Sequence, residues 1–183
     1  MIRLLPLAAA ACAAFLLLYH LPTHAQSLPK QVTGKVHRVI DGDTLDIAGP
    51  EGLVRVRLWG IDTPEKGQAC QDAENRKYPC GEYAGKALKA IVANDELECT
   101  ARGKPSYNRM VAECFIVRGQ YPSVNRMMVM HGWALAYRQY SKSFVPDEDA
   151  AFKANAGMWS GSFHAPECFR HDKSCPVLGK GRR

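Results

Sequence analysis

The sequence predicts an α+β fold, mainly β, in which five short strands form a barrel with about three helices around it. Asp41-Gly42 and Gly49-Pro50-Glu51-Gly52 join three runs of alternating apolar residues, a pattern typical of a strand meander. Apolar residues at helical spacing follow the meander, and two further strand-like runs come after them. Three strands, an inserted helix and two more strands are the order of a small oligonucleotide-binding (OB) barrel.

The third strand of the meander carries the most informative charges. From Val54 to Ile61 apolar residues alternate with polar ones, Arg55 and Arg57 among them, so that one face of the strand is dry. The strand is predicted to end in Asp62-Thr63-Pro64-Glu65, because a proline has no N–H to donate to a neighbouring strand. The two carboxylates of this segment are therefore expected at the margin of the sheet.

The remaining elements follow from hydrophobic periodicity and from glycine and proline signals. We predict helices over Gly81–Ala93, Ser123–His131 and Pro146–Ala156, strands over Glu96–Ala101 and Met110–Val117, a polar loop over Gly67–Pro79, and an irregular tail over about 164–183.

Residues 1–25 have the pattern of a secretory signal peptide. Arg3 precedes an apolar run from Leu4 to Leu18, and Ala25 offers a small residue at the cleavage site. A retained membrane anchor is the alternative, although the run is shorter than the roughly 20 residues of a spanning helix. Cleavage leaves residues 26–183 as a single domain of a periplasmic or secreted protein. We expect this mature chain to be a monomer without stable membrane association.

The cysteines are an even set once the leader is removed. Of seven cysteines, Cys12 lies in the leader, and six remain in an exported chain, which favours disulfides. Six cysteines allow fifteen connectivities, and we favour the nearest-neighbour pairs Cys70–Cys80, Cys99–Cys114 and Cys168–Cys175. The spacing of His164, Cys168, His171 and Cys175 also leaves a zinc site open as an alternative.

Three short segments concentrate polar side chains that the fold pattern does not need: Asp41-Gly42-Asp43-Thr44, Arg57 with Asp62-Thr63-Pro64-Glu65, and Tyr107-Asn108-Arg109. Taken singly, each has a simpler explanation as a turn or as solvated surface. Taken together with Gly157-Met158-Trp159-Ser160, and in this order, they resemble the thermonuclease family of staphylococcal-nuclease-like domains. The resemblance runs from about Val32 to Phe163. With its six cysteines beyond the leader, the chain is more similar to exported, disulfide-containing bacterial members of the family than to members without disulfides.

The resemblance implies a calcium-dependent phosphodiesterase that hydrolyses DNA and RNA to products with 3′-phosphates. A net charge of +6 suits such polyanionic substrates, although it is equally compatible with solubility alone. By the same resemblance, Asp43 and Asp62 bind calcium through their carboxylates and Thr63 binds it through its carbonyl oxygen. Calcium is a hard cation that prefers oxygen ligands, so these roles are chemically reasonable.

The resemblance also assigns roles in chemistry and binding. Arg57 and Arg109 hold the scissile phosphate, where a planar guanidinium answers the charge that develops on the equatorial oxygens. Glu65 acts on the attacking water, by positioning or by deprotonating it. Tyr107 and Tyr137 correspond to positions that line the nucleotide pocket.

The chain departs from the family pattern at two positions near Arg109. Asn108 stands where glycine is common, and asparagine tolerates positive φ. Ser106 stands where a basic residue often occurs, which affects phosphate affinity rather than the catalytic set. The alternatives are a non-catalytic nucleic-acid-binding module on the same barrel and a structural exported protein whose charges are only a solvated face. The presence of all five charged site residues favours the enzyme.

Overall fold

The computed structural model describes residues 28–171 and 174–179, so the predicted leader lies outside the described residues. The strands are β1 Gln31–Val39, β2 Thr44–Gly49, β3 Gly52–Leu58, β4 Ile61–Asp62, β5 Cys70–Gln71, β6 Lys77–Tyr78, β7 Glu96–Ala101, β8 Met110–Ile116, β9 Leu135–Ala136, β10 Ser162–His164 and β11 Val177–Gly179. The helices are α1 Cys80–Val92, α2 Val124–Met130, α3 Val145–Lys153 and α4 Pro166–Arg170, with a 3₁₀ turn over Gly157–Ser160.

Five strands close into a barrel in the order β1-β2-β3-β8-β7, which confirms the predicted OB-fold. The β1–β2 and β2–β3 pairs form the expected antiparallel meander. β3 pairs with β8 in parallel, and this pairing closes the barrel. Apolar residues that alternate along the strands, such as Leu45, Ile47 and Leu58, fill the interior.

The third barrel strand is shorter than predicted. β3 ends at Leu58, and Trp59 and Gly60 form a turn before β4, with Gly60 at φ 73°. Long-range contacts stabilise this turn: Trp59 N–H donates to the carbonyl of Ala112 at 2.8 Å, and the Asn125 amide donates to the carbonyl of Trp59 at 2.9 Å. Because the break depends on distant partners, the local alternation could not reveal it.

The predicted irregular tail and the predicted polar loop over Gly67–Pro79 are both partly ordered. Short strands from the two segments build one sheet in the order β11-β10-β5-β6, and the tail also contains α4. The Gln68 side chain donates to the carbonyl of His164 at 2.8 Å, and the Phe163 ring packs 5.0 Å from the Trp159 ring. The expectation of irregular structure in these two segments was wrong, because strands of two or three residues are too short to show periodicity in a sequence.

The predicted helices are all present within a few residues of their expected ends. The Ser123 hydroxyl accepts from the N–H of Arg126 and caps α2. α3 has Pro146 in its first turn but ends at Lys153 rather than Ala156. Gly157, expected to close α3, instead begins the 3₁₀ turn at φ 52°. α4 is a fourth helix that the sequence did not indicate.

The six described cysteines form three disulfides, Cys70–Cys80, Cys99–Cys114 and Cys168–Cys175. The pair Cys168–Cys175 excludes the alternative zinc site, since both sulfur ligands are bonded to each other. Three disulfides are typical of a protein that folds outside the cytoplasm. Over residues 28–171 and 174–179, no helix combines the length and the apolarity needed to cross a membrane.

Replacing Asn125 with alanine should destabilise the fold. Asn125 is fully buried, accepts from the N–H of Cys114 at 3.1 Å, and donates to the carbonyls of Trp59 and Ala112. The variant leaves buried backbone groups without partners, so we expect the free energy of unfolding to fall by about 2–4 kcal/mol. Denaturant unfolding measures the change. Asn94→Ala, at an exposed position, is the control, and equal midpoints for the two variants would contradict the role of Asn125.

Candidate active site

Two loops meet on helix α1 beside the end of β3. The loop between β1 and β2 approaches so closely that a Cβ on Gly42 would lie 2.8 Å from side-chain atoms of Ala84 and Thr63. A Cβ on Gly81, in the first turn of α1, would collide with the carbonyl of Glu65. The carbonyl of Asp43 accepts from the N–H of Leu58 at 2.7 Å, which ties the first loop to the barrel. Both acidic loops are therefore held against rigid elements.

Arg57 lies at the centre of the site and bridges two carboxylates. Its Nη1 is 2.6 Å from Oδ2 of Asp43, and its Nη2 is 3.3 Å from Oδ1 of Asp62. The Arg57 side chain is only 16% exposed. Because the two nitrogens belong to one planar group, the two carboxylates lie close together around the same cation.

Asp43 accepts hydrogen bonds from both neighbouring threonines. Oδ2 accepts from the Thr63 hydroxyl at 2.8 Å and from the Thr63 N–H at 3.3 Å, while Oδ1 accepts from the Thr44 hydroxyl at 3.0 Å. The structure places Asp43 in the loop before β2, not on a strand. Its carboxylate thus joins the two acidic loops, and Thr63 lies at their junction.

A second arginine, Arg170 of α4, binds the carboxylates of Asp62 and Glu65. Its guanidinium binds Asp62 with both nitrogens, Nη1 to Oδ1 at 2.8 Å and Nη2 to Oδ2 at 3.0 Å. Nη1 also contacts Oε1 of Glu65 at 2.7 Å. Sequence reasoning missed Arg170, because it lies 108 positions from Asp62 in a segment predicted to be irregular. Nothing in the sequence around Arg170 distinguished it from other surface arginines.

Burial and crowding perturb the charges of the site. Burial raises the pKa of Asp62, and the guanidinium groups of Arg170 and Arg57 only partly offset this effect. The pKa of Asp41 is raised to about 6 by burial and by the negative charge of Asp43. Burial opposes the charge of Arg170, but hydrogen bonds to Asp62 and Glu65 outweigh it and raise its pKa. Burial thus disfavours the negative charge of Asp41 and Asp62, and a cation bound nearby would stabilise it.

Arg109 stands just before β8, and among the described residues no ion pair joins it to Asp43, Asp62 or Glu65. Val111, two positions further on, pairs with Arg57 on β3. Its Nε donates to the carbonyl of Ser106 at 3.2 Å, and its guanidinium lies 5.6 Å from the Tyr107 ring. Asn108 adopts φ 57°, which agrees with the tolerance expected of asparagine there.

The two predicted tyrosines differ in their surroundings. Tyr107 is 91% exposed beside Arg109. Tyr137 follows β9, which pairs with β4, and its N–H donates to the carbonyl of Gly60 at 2.8 Å. Burial raises the pKa of Tyr137, and the charges of Glu167 and Asp62 add to this effect.

The donor set fits a hard cation such as calcium. In the part of the chain that the structure describes, no three acidic, histidine or cysteine side chains converge into a complete metal cluster. Two carboxylates, from Asp43 and Asp62, do share one guanidinium, and Arg170 already places positive charge on Asp62 and Glu65. Calcium accepts carboxylates, carbonyls and water together, so these oxygens suit a site completed by solvent or substrate.

Comparison with known proteins agrees with this arrangement. The profile of the staphylococcal nuclease homologue family matches residues 55–161, a segment that includes Arg57, Asp62, Glu65 and Arg109. Asp43 and Arg170 lie outside the matched segment.

Several curated proteins are similar along most of their length. The chain is 34% identical over 141 residues to a succinoglycan biosynthesis protein, ExoI, of Rhizobium meliloti, covering 76% of this chain and 70% of that protein. It is 31% identical over 145 residues to an uncharacterized endonuclease of Escherichia coli O157:H7, covering 78% and 87%. It is 32% identical over 138 residues to a micrococcal nuclease of Shigella flexneri, covering 69% and 73%. The family match and these relatives confirm the resemblance: the chain belongs to the staphylococcal nuclease homologue family and is a nuclease, a hydrolase of phosphodiester bonds.

Proposed function

We propose that the protein is a calcium-dependent endonuclease that hydrolyses DNA and RNA and leaves 3′-phosphates. The observation that carries this proposal is the Arg57 guanidinium bound between the carboxylates of Asp43 and Asp62, with Glu65 beside them through Arg170. It combines oxygen ligands for a cation with a guanidinium for a phosphate at one end of a barrel that suits oligonucleotides.

Asp43, Asp62 and the carbonyl of Thr63 are the proposed calcium ligands. Both carboxylates are buried, at 6% and 3% exposure, and the contacts of Asp43 with Thr63 hold the three residues together. Calcium in this position would polarise the scissile phosphate and orient a water molecule. Rigid packing of both loops on α1 keeps the ligands in place before substrate arrives.

Arg57 and Arg109 are the proposed phosphate-binding residues. Attack on a phosphodiester builds negative charge on the equatorial oxygens, and a guanidinium stabilises this charge with paired hydrogen bonds. Arg57 is fixed by its ion pairs within the site, while Arg109 is fixed by the Ser106 carbonyl and stacks near Tyr107. The two cations would reach the phosphate from β3 and from the loop before β8.

Glu65 is the proposed residue that acts on the attacking water. Its side chain is 37% exposed, whereas that of Asp62 is only 5% exposed, so Glu65 is the carboxylate within reach of solvent. Among the described residues, the recorded ion pair of Glu65 uses Oε1, which leaves Oε2 for a water molecule. A carboxylate in this position can orient the water or accept its proton.

The tyrosines and the location of the protein complete the proposal. Exposed Tyr107 and partly buried Tyr137 would contact the nucleotides that flank the scissile bond, and stacking of this kind tolerates any base. This suits a nuclease that accepts both DNA and RNA. The disulfides, together with the predicted leader, favour a periplasmic or secreted location, and we expect the protein to be a monomer there.

Calcium should be required for activity. The mature chain, incubated with plasmid DNA or with RNA, should cut both in calcium and neither in excess chelator, because two buried carboxylates need the cation to bind a phosphate nearby. Gel analysis measures cleavage. Polynucleotide kinase should label the 5′-hydroxyls of the products without phosphatase treatment, as 3′-phosphate products require. Equal cleavage in chelator would contradict the proposed cofactor.

Glu65→Gln should lower kcat by about 10²–10⁴-fold, because the amide cannot accept a proton from the attacking water. Steady-state hydrolysis of a fluorogenic oligonucleotide measures kcat. The control is Glu98→Gln, which removes the same charge from an exposed position on β7. Near-normal turnover in Glu65→Gln, with the control also normal, would refute the assigned role.

Arg109→Ala should lower kcat by about 10²–10³-fold through the loss of one phosphate contact in the transition state. The matched control, Arg118→Ala, removes an exposed arginine that follows β8. Circular dichroism melts show whether both variants keep the fold. If the two variants lose activity equally, a general decrease in positive charge is responsible, and the specific role of Arg109 is wrong.

A further inference from the structure

Arg170 makes three hydrogen bonds to residues that the proposed function assigns to calcium and water. The Arg170 side chain is 27% exposed, and it lies at the last position of α4. Two of its bonds reach the two oxygens of Asp62, and the third reaches Glu65. All three bonds are charge-assisted, and the two to Asp62 form a bidentate pair, the strongest class of side-chain hydrogen bond.

The segment that carries Arg170 is firmly attached to the rest of the protein. Pro166 is buried at the start of α4, and the disulfide Cys168–Cys175 closes the segment onto itself. β10, just before α4, pairs with β5 and β11. Arg170 is therefore delivered to Asp62 from an ordered element and not from a loose chain end.

The hydrogen bonds of Arg170 use oxygens that a metal ion would need. Oδ1 of Asp62 already accepts from both Arg57 and Arg170, and a carboxylate oxygen has two lone pairs. Oδ2 accepts from Arg170 as well. A divalent cation bound to Asp62 would also lie close to the positive charge of Arg170, and the two charges repel each other in a site with little water. While Arg170 is in place, only part of Oδ2 of Asp62 is left for a metal ion, so Arg170 and calcium compete for this carboxylate.

We propose that Arg170 is an internal counter-cation that occupies Asp62 and Glu65 in the metal-free enzyme, withdraws from Asp62 when calcium binds, and so sets the calcium affinity. This inference rests on the proposed function, since it needs calcium to bind at Asp43 and Asp62. The guanidinium keeps buried Asp62 and the more exposed Glu65 paired while no metal is present, when the two carboxylates would otherwise repel each other.

The competition has two measurable consequences. The apparent affinity for calcium is reduced by the fraction of molecules in which Arg170 occupies the site. By linkage, calcium must weaken the attachment of α4 as much as α4 weakens calcium binding. Removing the guanidinium should therefore tighten calcium binding, and adding calcium should loosen α4.

Calorimetric titration of calcium into the wild-type mature chain and into Arg170→Ala tests the proposal. We expect the variant to bind calcium about tenfold more tightly, the value for an Arg170 contact formed in about nine of ten metal-free molecules. The control is Arg76→Ala, because Arg76 is also one arginine shared by two carboxylates, Asp72 at 2.8 Å and Glu74 at 3.0 Å. Its affinity for calcium should equal that of the wild type.

An unchanged affinity in Arg170→Ala would overturn the proposal, and a weaker one would show that Arg170 supports the metal ligands instead. If the wild type cuts DNA in calcium while the variant affinity is unchanged, only this inference fails. If neither protein binds calcium or cuts nucleic acid, the proposed function fails as well. If Arg170→Ala does not fold, the calcium titration is repeated with Arg170→Gln, and hydrogen exchange is measured on the wild type with and without calcium. Calcium should then speed exchange of the amides of α4, and no change there would reject the competition.

Discussion

The ion pairs of Arg57 with Asp43 and Asp62 are the interaction on which the site depends. Two carboxylates at 6% and 3% exposure would repel each other strongly without a cation between them. Arg57, only 16% exposed, supplies that cation from β3, and loss of one partner of such a buried pair costs about 3–5 kcal/mol. The same contacts bring the loop before β2 and the turn after β4 together. Fold and chemistry therefore share one group of charges.

The barrel explains how these charges are held in position. Leu58, next to Arg57, is buried in the barrel core, so the direction of the arginine is set by the pleat of β3. Asn125 of α2 fixes the turn at Trp59 from which Asp62 follows, and Gly81 of α1 allows Glu65 to approach the helix. Each site residue is thus one or two positions from a packed anchor, as a preorganised site requires.

The C-terminal segment adds a second source of positive charge to the same carboxylates. Arg57 comes from the barrel and lies in the segment that matches the family profile, whereas Arg170 comes from α4, beyond residue 161. The segment is joined to the hairpin of β5 and β6 through β10, and this small sheet packs its apolar side around Trp159 and Phe163. A peripheral element thereby contacts the centre of the site without being part of the barrel.

The sequence by itself predicted the barrel, the meander of its first three strands and most of the helices. Those elements are long enough to show periodicity, and the charged residues of the site stand beside turn residues with clear signals, as Asp43 follows Asp41-Gly42 and Asp62 precedes Pro64. The roles of these residues, and those of Thr63, Glu65 and Arg109, come from the resemblance to a family and stay predictions.

Only the tertiary structure decided where β3 ends, how the tail folds and which cation meets Asp62 and Glu65. The break at Trp59 depends on Ala112 and Asn125, and β10 depends on partners far away in the chain. Arg170 lies 108 positions from Asp62, and its role exists only because α4 is placed against the site. Contacts between distant short segments leave no periodic trace in a sequence, whereas alternation and turn chemistry do.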